Sequence, residues 1–262
     1  DSELLLADYI KGLYTSQGTN GLYYHTSSLA NGAGDNSYRY SGANPDNYVC
    51  FGSDASACPE ENLYRVIGVF DDKIKLIKST SYGDYLWDSG NDNTWSSSDV
   101  RTTLNSTFLN TLSSTWQNKI ATSTWQVGGM TYSNASGVPK TVYNYEVGIN
   151  SNNISDSMKI GLMYVSDYGY ASRNNYWTME LSDYYTNKVY QENWMYIGDW
   201  EWTVSRTTVD IGSLNYAFGV GNGGVDDINL NLSYKIRPCF YLNSNVTYVS
   251  GSGTSSDPIR IS

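Results

Sequence analysis

The sequence has little of the positive charge, histidine and long apolar runs on which several classes of protein depend. Its 262 residues carry 26 Asp and Glu against 16 Lys and Arg, a formal net charge of −10. Phosphate contacts need clustered Lys and Arg, and anionic membranes attract basic segments, so we expect neither nucleic acid nor a membrane surface as the main partner. No apolar run approaches the ~20 residues of a membrane-spanning helix, and no signal peptide is recognisable. We therefore expect no direct membrane insertion of this segment, and a mature or trimmed piece of protein.

The residues of common catalytic sites are equally scarce. His25 is the single histidine, so the sequence offers no obvious Ser-His or Cys-His pair. No GxSxG, HExxH or phosphate-binding loop occurs, and the glycine-rich GVGNGGVDD lies between strand-like residues, which indicates a turn. The carboxylate pairs Asp71-Asp72 and Asp226-Asp227 are assigned to a hairpin tip and a loop, not to acid–base work. We predict a protein that is not an enzyme.

The sequence is instead rich in Tyr, Trp and Asn. It holds 25 Tyr, 8 Trp, 26 Asn and 24 Gly, while charged residues make up only 16%. Tyr, Asn, Ser and Gly are typical of adaptable binding surfaces. They are also typical of an ordinary β-rich extracellular domain, where Tyr suits strands and Asn and Gly suit turns. Both alternatives place the protein outside the cell.

Three cysteines agree with an oxidising compartment. Cys50 and Cys58 have seven residues between them in a turn-rich segment, so we predict a disulfide that closes a short loop. Cys239 lies in the apolar IRPCFYL, so we expect it to be free and buried in a strand. Three cysteines and one histidine without a CxxC pattern argue against a structural zinc site.

Periodicity predicts a mixture of helices and strands. We expect helices over residues 3–14 and over WSSSDVRTTLNSTFLNTL, the latter capped by one of Ser96–Ser98, with a shorter helical turn near 114–120. The clearest hairpin joins strands 63–70 and 73–78. Further strands are predicted at residues 124–127, 159–166, 202–205, 216–220, 236–242 and 247–249. Residues 15–46 and 168–200 are expected to be mainly loop.

The segment between Asp167 and Trp202 is dense in aromatic residues, and exposed Tyr and Trp side chains anchor partners or stack on sugars. We expect about half of these rings to fill the core and the others to contact a ligand. The candidate ligand-binding residues are Tyr170, Arg173, Asn175, Tyr176, Trp177, Tyr184, Tyr185, Trp194 and Tyr196. No cofactor is expected other than calcium, for which clustered oxygens are available on Asp84, Asp88, Asp92 and Asn93.

Several segments, in this order, resemble a known domain: NSYRYSGANPDNYVCFGSD, LYRVIGVFDDKIKLIKS, WSSSDVRTTLN, GLMYVSDYGYAS, WEWTVSRTT and IRPCFYLNSNVTYVSGSGTSSDPIRIS. They are similar to a domain of unknown function from large surface and pilin-associated proteins of Firmicutes and relatives of Mollicutes. The resemblance covers roughly residues 37–262. It implies an α+β fold of the C-type-lectin-like class, in its formylglycine-generating-enzyme-like branch, with two short helices, antiparallel strands and long loops.

The resemblance also implies an organisation and a location. We expect a single extracellular domain over 1–262, with an N-terminal helix and loop (1–36) packed on a core (37–262). It would lie at a bacterial cell surface, secreted or attached through an upstream helix. Oxidases of this branch use a cysteine pair, and this chain lacks the pair because Cys239 stands alone. Classical Glu-Pro-Asn and Trp-Asn-Asp calcium motifs for sugars are also absent.

Three functional hypotheses follow, besides a degenerate enzyme of the formylglycine-generating branch, which the missing cysteine pair disfavours. The first is a non-catalytic adhesion module that recognises a host or bacterial surface glycan or protein through its late aromatic loops. The second is a structural subunit of a pilus-like filament, with copies of itself as partners. The third is a variable ligand-binding protein of the kind targeted by diversity-generating retroelements, since the stretch 173–231 is rich in Asn, Tyr, Asp and Ser.

Overall fold

A computed structural model describes residues 2–208 and 215–262. The described chain is an α+β structure, as predicted, with short helices and mainly antiparallel sheets. It contains six α-helices and not two: α1 Leu6–Gly12, α2 Asp99–Thr102, α3 Ser114–Gln117, α4 Tyr132–Ala135, α5 Pro139–Glu146 and α6 Val165–Ala171. None of the helices in these residues is both long enough and apolar enough to cross a membrane.

Fifteen short strands are present in the same residues. They are β1 Leu22–Tyr24, β2 Tyr38–Tyr40, β3 Tyr48–Cys50, β4 Leu63–Phe70, β5 Lys73–Lys78, β6 Gly83–Leu86, β7 Ser123–Gln126, β8 Ser155–Met158, β9 Glu201–Arg206, β10 Tyr216–Gly221, β11 Gly224–Asn229, β12 Ser233–Ile236, β13 Cys239–Tyr241, β14 Tyr248–Ser250 and β15 Arg260–Ile261. One sheet has the order β1-β2-β4-β5-β13, with β3 also on β4, and a second has the order β11-β10-β9-β12-β6. β7-β8 and β14-β15 form two small ribbons.

The predicted hairpin is confirmed with its bounds. β4 and β5 pair antiparallel from Phe70–Lys73 to Tyr64–Lys78, around a turn in which Asp71 has a positive φ of 58°. Asp tolerates this left-handed conformation better than most residues. Almost every β5 residue is buried, because the hairpin lies inside the sheet, between β2 and β13.

The helical segment after Trp95 is also confirmed, in irregular form. Ser98 caps α2, since its hydroxyl oxygen accepts a hydrogen bond from the backbone N–H of Arg101. The chain continues as a π-helix over Thr103–Phe108 and a 3₁₀ turn over Leu109–Thr111. The apolar side of the segment packs inward, with Val100, Leu104 and Phe108 buried.

Three other expectations are wrong. The segment 159–166 is not a strand: it makes a single bridge from Gly161 to Cys239 and then enters α6. Helix α6 starts there because Asp167 accepts a hydrogen bond from the Tyr164 N–H at 3.0 Å, an N-terminal capping interaction. Asp226-Asp227 lie in strand β11, not in a loop. The region 236–242 is two strands, β12 and β13, which belong to different sheets.

The N-terminal part is more integrated than a packed helix and loop. Leu6 and Ile10 of α1 are buried in the main core, and the Leu6 N–H donates to the Val246 carbonyl at 2.9 Å. Residues 22–24 form the outermost strand of the first sheet. The main hydrophobic core accordingly includes side chains from Leu6 to Ile261.

The cysteine predictions are confirmed. Cys50 and Cys58 form a disulfide with Cα atoms 5.9 Å apart. Cys239 is free and buried in β13. Burial raises the pKa of its thiol to about 12, as expected for a thiol in apolar surroundings.

Candidate binding surface

The aromatic segment divides into rings that fill the core and rings that reach the surface. Of the ten Tyr and Trp residues between 168 and 200, five are buried, which confirms the expectation for about half. Among the candidate ligand-binding residues, the buried ones are Tyr170, Trp177, Tyr184 and Trp194. These four side chains are not available to a ligand at the surface, so their assignment as contact residues is corrected.

Two of them build a small second core around the single histidine. Trp177 and Tyr170 pack edge to face at 5.2 Å, and His25 lies 4.8 Å from the Tyr170 ring and 5.2 Å from the Trp177 ring. The Trp177 indole N–H donates to the Ser172 carbonyl at 3.1 Å. A loop-rich fold fills its interior with large rings, and an indole satisfies its one donor on local backbone.

The other two fix loops to the sheets. The Trp194 indole N–H donates to the Tyr40 carbonyl at 2.9 Å, which attaches the late segment to β2. The Tyr184 hydroxyl lies 3.1 Å from the Ser172 hydroxyl. Both residues therefore position the surface loops instead of forming the surface.

The polar candidates remain accessible. Arg173 and Asn175 are exposed and Tyr176 is partly exposed. Within residues 2–208 and 215–262, the ion pair of Arg173 is a long contact of 3.9 Å with Glu192, and the Arg173 side chain is 62% exposed. Such an ion pair contributes little to stability, so the guanidinium is available to a partner.

The surface rings gather around the turn between β10 and β11. We call the following residues the aromatic surface: Tyr185, Tyr190, Tyr196, Trp200 and Tyr234. Tyr185 is 57% exposed, and the other four are partly exposed. Tyr185 and Tyr196 are among the predicted contact residues. Tyr190 and Trp200 lie in the aromatic segment between Asp167 and Trp202 but are not among those predicted residues, and Tyr234 lies outside that segment.

Ring contacts define two pairs within this surface. Trp200 and Tyr234 stack with centroids 5.5 Å apart and an interplanar angle of 30°, because they precede paired positions of β9 and β12. Tyr190 and Tyr196 lie 5.5 Å apart. Burial raises the pKa of Tyr196, and Tyr190, Asp199 and Tyr185 raise it further, so these groups share one neighbourhood.

Glycines of GVGNGGVDD leave the space that the Trp200 and Tyr190 rings occupy. Asn222 and Gly223 have positive φ angles of 52° and 87°, which is the conformation of a two-residue hairpin turn. A Cβ atom at Gly221 would lie 2.3 Å from the Trp200 indole, and one at Gly223 would lie 2.6 Å from Tyr190. Only Asn222 and Gly223 form the predicted turn, because the rest of the run belongs to β10 and β11; the glycines of the run also make room for two rings. This run was the sequence signal that could have identified Trp200 and Tyr190.

A buried ion pair holds the loop that carries these rings. Arg237 donates from Nε to Glu201 Oε2 at 2.7 Å and from Nη2 to Glu201 Oε1 at 2.9 Å. The same Nη2 donates to the Met195 carbonyl at 2.7 Å. Asn193 adds a bond from its side-chain amide to the Tyr168 carbonyl at 2.8 Å. Residues 193–201 are therefore preorganised, which lowers the entropic cost of binding.

Charges flank the aromatic surface. Lys235 Nζ lies 3.2 Å from Asp84 Oδ1 and 3.5 Å from Asp199 Oδ2, and the hydrogen bond with Asp84 is the largest cause of the raised pKa of Lys235. The surface thus combines ring faces with carboxylates and an ammonium group, which can accept and donate hydrogen bonds.

The four candidate calcium ligands do not form a site. Asp84 contacts Lys235, whereas Asp88 accepts the backbone N–H groups of Asp92 and Asp99 at 3.1 and 3.2 Å. Asn93 donates from its amide to two backbone carbonyls. Across residues 2–208 and 215–262, no three His, Cys, Asp or Glu side chains are grouped to hold a metal ion. The oxygens of Asp88 and Asp92 accept hydrogen bonds from backbone N–H groups of the loop itself, and the calcium prediction is corrected.

No protein-family model, curated protein or solved structure matches this chain. The function proposed below therefore rests on the geometry of the aromatic surface.

Proposed function

We propose that this chain is a non-catalytic extracellular binding module that recognises a surface glycan through the aromatic surface. The observation that carries the proposal is the stacked pair of Trp200, on the loop held by the Arg237–Glu201 ion pair, and Tyr234 of β12. The same surface includes the exposed ring of Tyr185. Aromatic faces suit the C–H faces of sugars, and the neighbouring carboxylates suit sugar hydroxyls.

The disulfide supports an extracellular location. Structural disulfides persist in oxidising compartments and are rare in the cytosol, and Cys50–Cys58 closes a surface loop. A bacterial cell surface, and the C-type-lectin-like class of the fold, remain predictions that rest on the sequence resemblance.

The proposal is tested with a glycan array followed by titration of the best ligand. Tyr185→Ala and Trp200→Ala are expected to weaken binding at least tenfold, since each removes a ring of the surface. Tyr145→Ala is the matched control, because Tyr145 is also exposed (37%) but lies on α5 outside the aromatic surface. Tyr185 is 57% exposed, so its loss leaves the fold intact.

The same measurements address the filament hypothesis. Glycan binding that both ring variants leave unchanged would overturn the proposal. Absence of any glycan signal, together with concentration-dependent self-association in light scattering that Tyr185→Ala abolishes, would assign the aromatic surface to contacts between copies instead.

A further inference from the structure

We propose that a cleft separate from the aromatic surface binds a single neutral sugar ring. The cleft lies between α1, the turn at residue 20 and the loop 44–46, and we call it the Tyr40 cleft. Its lining includes Tyr9, Leu13, Asn20, Tyr40 and Asp46. None of these residues belongs to the aromatic surface, so the inference stands independently of the proposed function.

The first observation is a buried hydroxyl without a partner. Tyr40 is only 1% exposed, and its hydroxyl makes no hydrogen bond within the described chain. Leaving a buried donor unsatisfied costs free energy, and such groups call for a functional explanation. Burial raises the pKa of Tyr40, and Tyr9 and Asp46 raise it further. The hydroxyl is therefore close to two other lining residues.

The second observation is that the loop bearing Asp46 is preorganised. Arg65, itself buried, donates from Nη2 to the Asn44 side-chain oxygen and the Pro45 carbonyl, both at 3.0 Å. Its Nε donates to the Asn47 side-chain oxygen at 2.8 Å. A Cβ at Gly253, whose φ is +88°, would lie 2.4 Å from the Asp46 carbonyl oxygen, so this loop is packed against glycine backbone.

The opposite wall is equally fixed. Tyr9 stacks on Tyr248 with ring centroids 3.7 Å apart and an interplanar angle of 13°. Leu13 follows on the same side of the cleft, and the Asn20 amide donates to the Leu13 carbonyl at 2.8 Å. Walls that are already fixed lower the entropic cost of binding, and the Tyr40 hydroxyl, which is buried, has only to be uncovered to meet a ligand.

Size and chemistry select the ligand class. The cavity volume is about 230 Å³, below the ~300 Å³ at which pockets for drug-sized molecules begin, so one ring fills it. Leu13 and the Tyr9 ring face the apolar side of such a ring, while the Tyr40 hydroxyl and Asp46 meet its hydroxyls. The Asp46 carboxylate disfavours uronic and other acidic sugars through like-charge repulsion.

The test is an NMR titration of ¹⁵N-labelled protein with glucose, galactose, mannose and N-acetylglucosamine, and with glucuronate as the acidic control. At least one neutral sugar is expected to shift the backbone amides of Asn20, Asn44 and Asp46. Tyr40→Phe, which removes only the hydroxyl, is expected to weaken this binding about tenfold while the protein stays folded. Tyr185→Ala is expected to leave it unchanged.

Three results would overturn the inference: no neutral sugar shifts these amides, glucuronate binds as well as the best neutral sugar, or Tyr40→Phe binds that sugar with unchanged affinity. Shifts confined to Tyr185, Trp200 and their neighbours would also refute the Tyr40 cleft, and would at the same time support the aromatic surface. Failure of one site is thus distinguishable from failure of the other.

Discussion

The Asp167 carboxylate lies 2.7 Å from the buried ammonium group of Lys75, and so joins strand β5 to helix α6. Its second oxygen lies 3.3 Å from Arg39 Nη1. All three side chains are at most 3% exposed, and the Lys75 Nζ lies 4.2 Å from the Tyr164 ring centroid and 4.8 Å from that of Trp125. Burial lowers the pKa of Lys75, but Asp167, Cys239 and Tyr164 together raise it by more, and the net change is upward.

Asp167→Asn is expected to destabilise the protein by about 3–5 kcal/mol, because it leaves two buried cations without their shared carboxylate. Lys75→Met is expected to cost less, since Arg39 still neutralises Asp167 and the rings accept an apolar chain. Urea unfolding of both variants measures the difference. A Lys75→Met loss equal to or larger than that of Asp167→Asn would contradict this account.

His25 is expected to make the stability depend on pH. Burial, with a further contribution from Arg39, lowers its pKa from 6.5 to about 3, and its Nδ1 accepts the Ala33 N–H at 2.9 Å. Between these values the unfolded chain binds a proton that the folded chain does not. Stability therefore falls as pH falls below 6.5, by up to about 1.4 kcal/mol per pH unit.

Chemical denaturation at pH 6.5, 5.8 and 5.0 measures this slope. His25→Gln keeps a hydrogen-bond acceptor but does not titrate, so its slope is expected to be smaller in this window. Equal slopes for the two proteins would show that other groups cause the pH dependence.

Replacing Trp177 by alanine is expected to lower the free energy of unfolding much more than replacing Tyr185 by alanine. Trp177→Ala removes a ring that is 1% exposed and is expected to cost about 3–5 kcal/mol. Tyr185→Ala changes a ring that is 57% exposed and is expected to cost less than about 0.5 kcal/mol. Thermal and urea unfolding give both numbers, and a large loss for Tyr185→Ala would mean that its ring is structural.

The disulfide is expected to contribute about 2–3 kcal/mol by restricting the unfolded chain over its short loop. The double variant Cys50→Ser, Cys58→Ser measures this contribution in denaturant, with Cys239 retained as the same free thiol in both proteins. A loss below about 0.5 kcal/mol would show that the loop is already restricted in the unfolded state.

Cys239 is expected to resist thiol reagents in the folded protein. Its thiol is buried, and burial raises its pKa to about 12, so almost no thiolate forms near neutral pH. Labelling with an aromatic disulfide reagent should be slow in buffer and rapid in denaturant. Fast labelling of the folded protein would show that β13 opens.

The sequence by itself determined the elements that depend on local patterns. Two strand-like segments on either side of Asp71-Asp72 were sufficient for the β4–β5 hairpin, and the short spacing of Cys50 and Cys58 was sufficient for the disulfide. The N-terminal cap of α2 is local in the same way, because the Ser98 hydroxyl accepts a hydrogen bond from the backbone N–H of Arg101 in the first turn of the helix. Such interactions are complete within a few residues, so no distant part of the chain is needed to predict them.

Only the tertiary structure decided the direction of each side chain in less periodic segments. KIGLMYVS is apolar enough for a strand, but Gly161 pairs with Cys239 and Asp167 caps α6, both through contacts that no local pattern shows. Nothing in the sequence around Lys75 indicates that it is buried; the fold places Asp167 of α6 beside its ammonium group. Trp177 and Trp200 are the same residue type in the same aromatic segment. Trp177 is buried beside His25, whereas Trp200 is partly exposed against Gly221. The backbone that packs against each ring decides which of them reaches the surface.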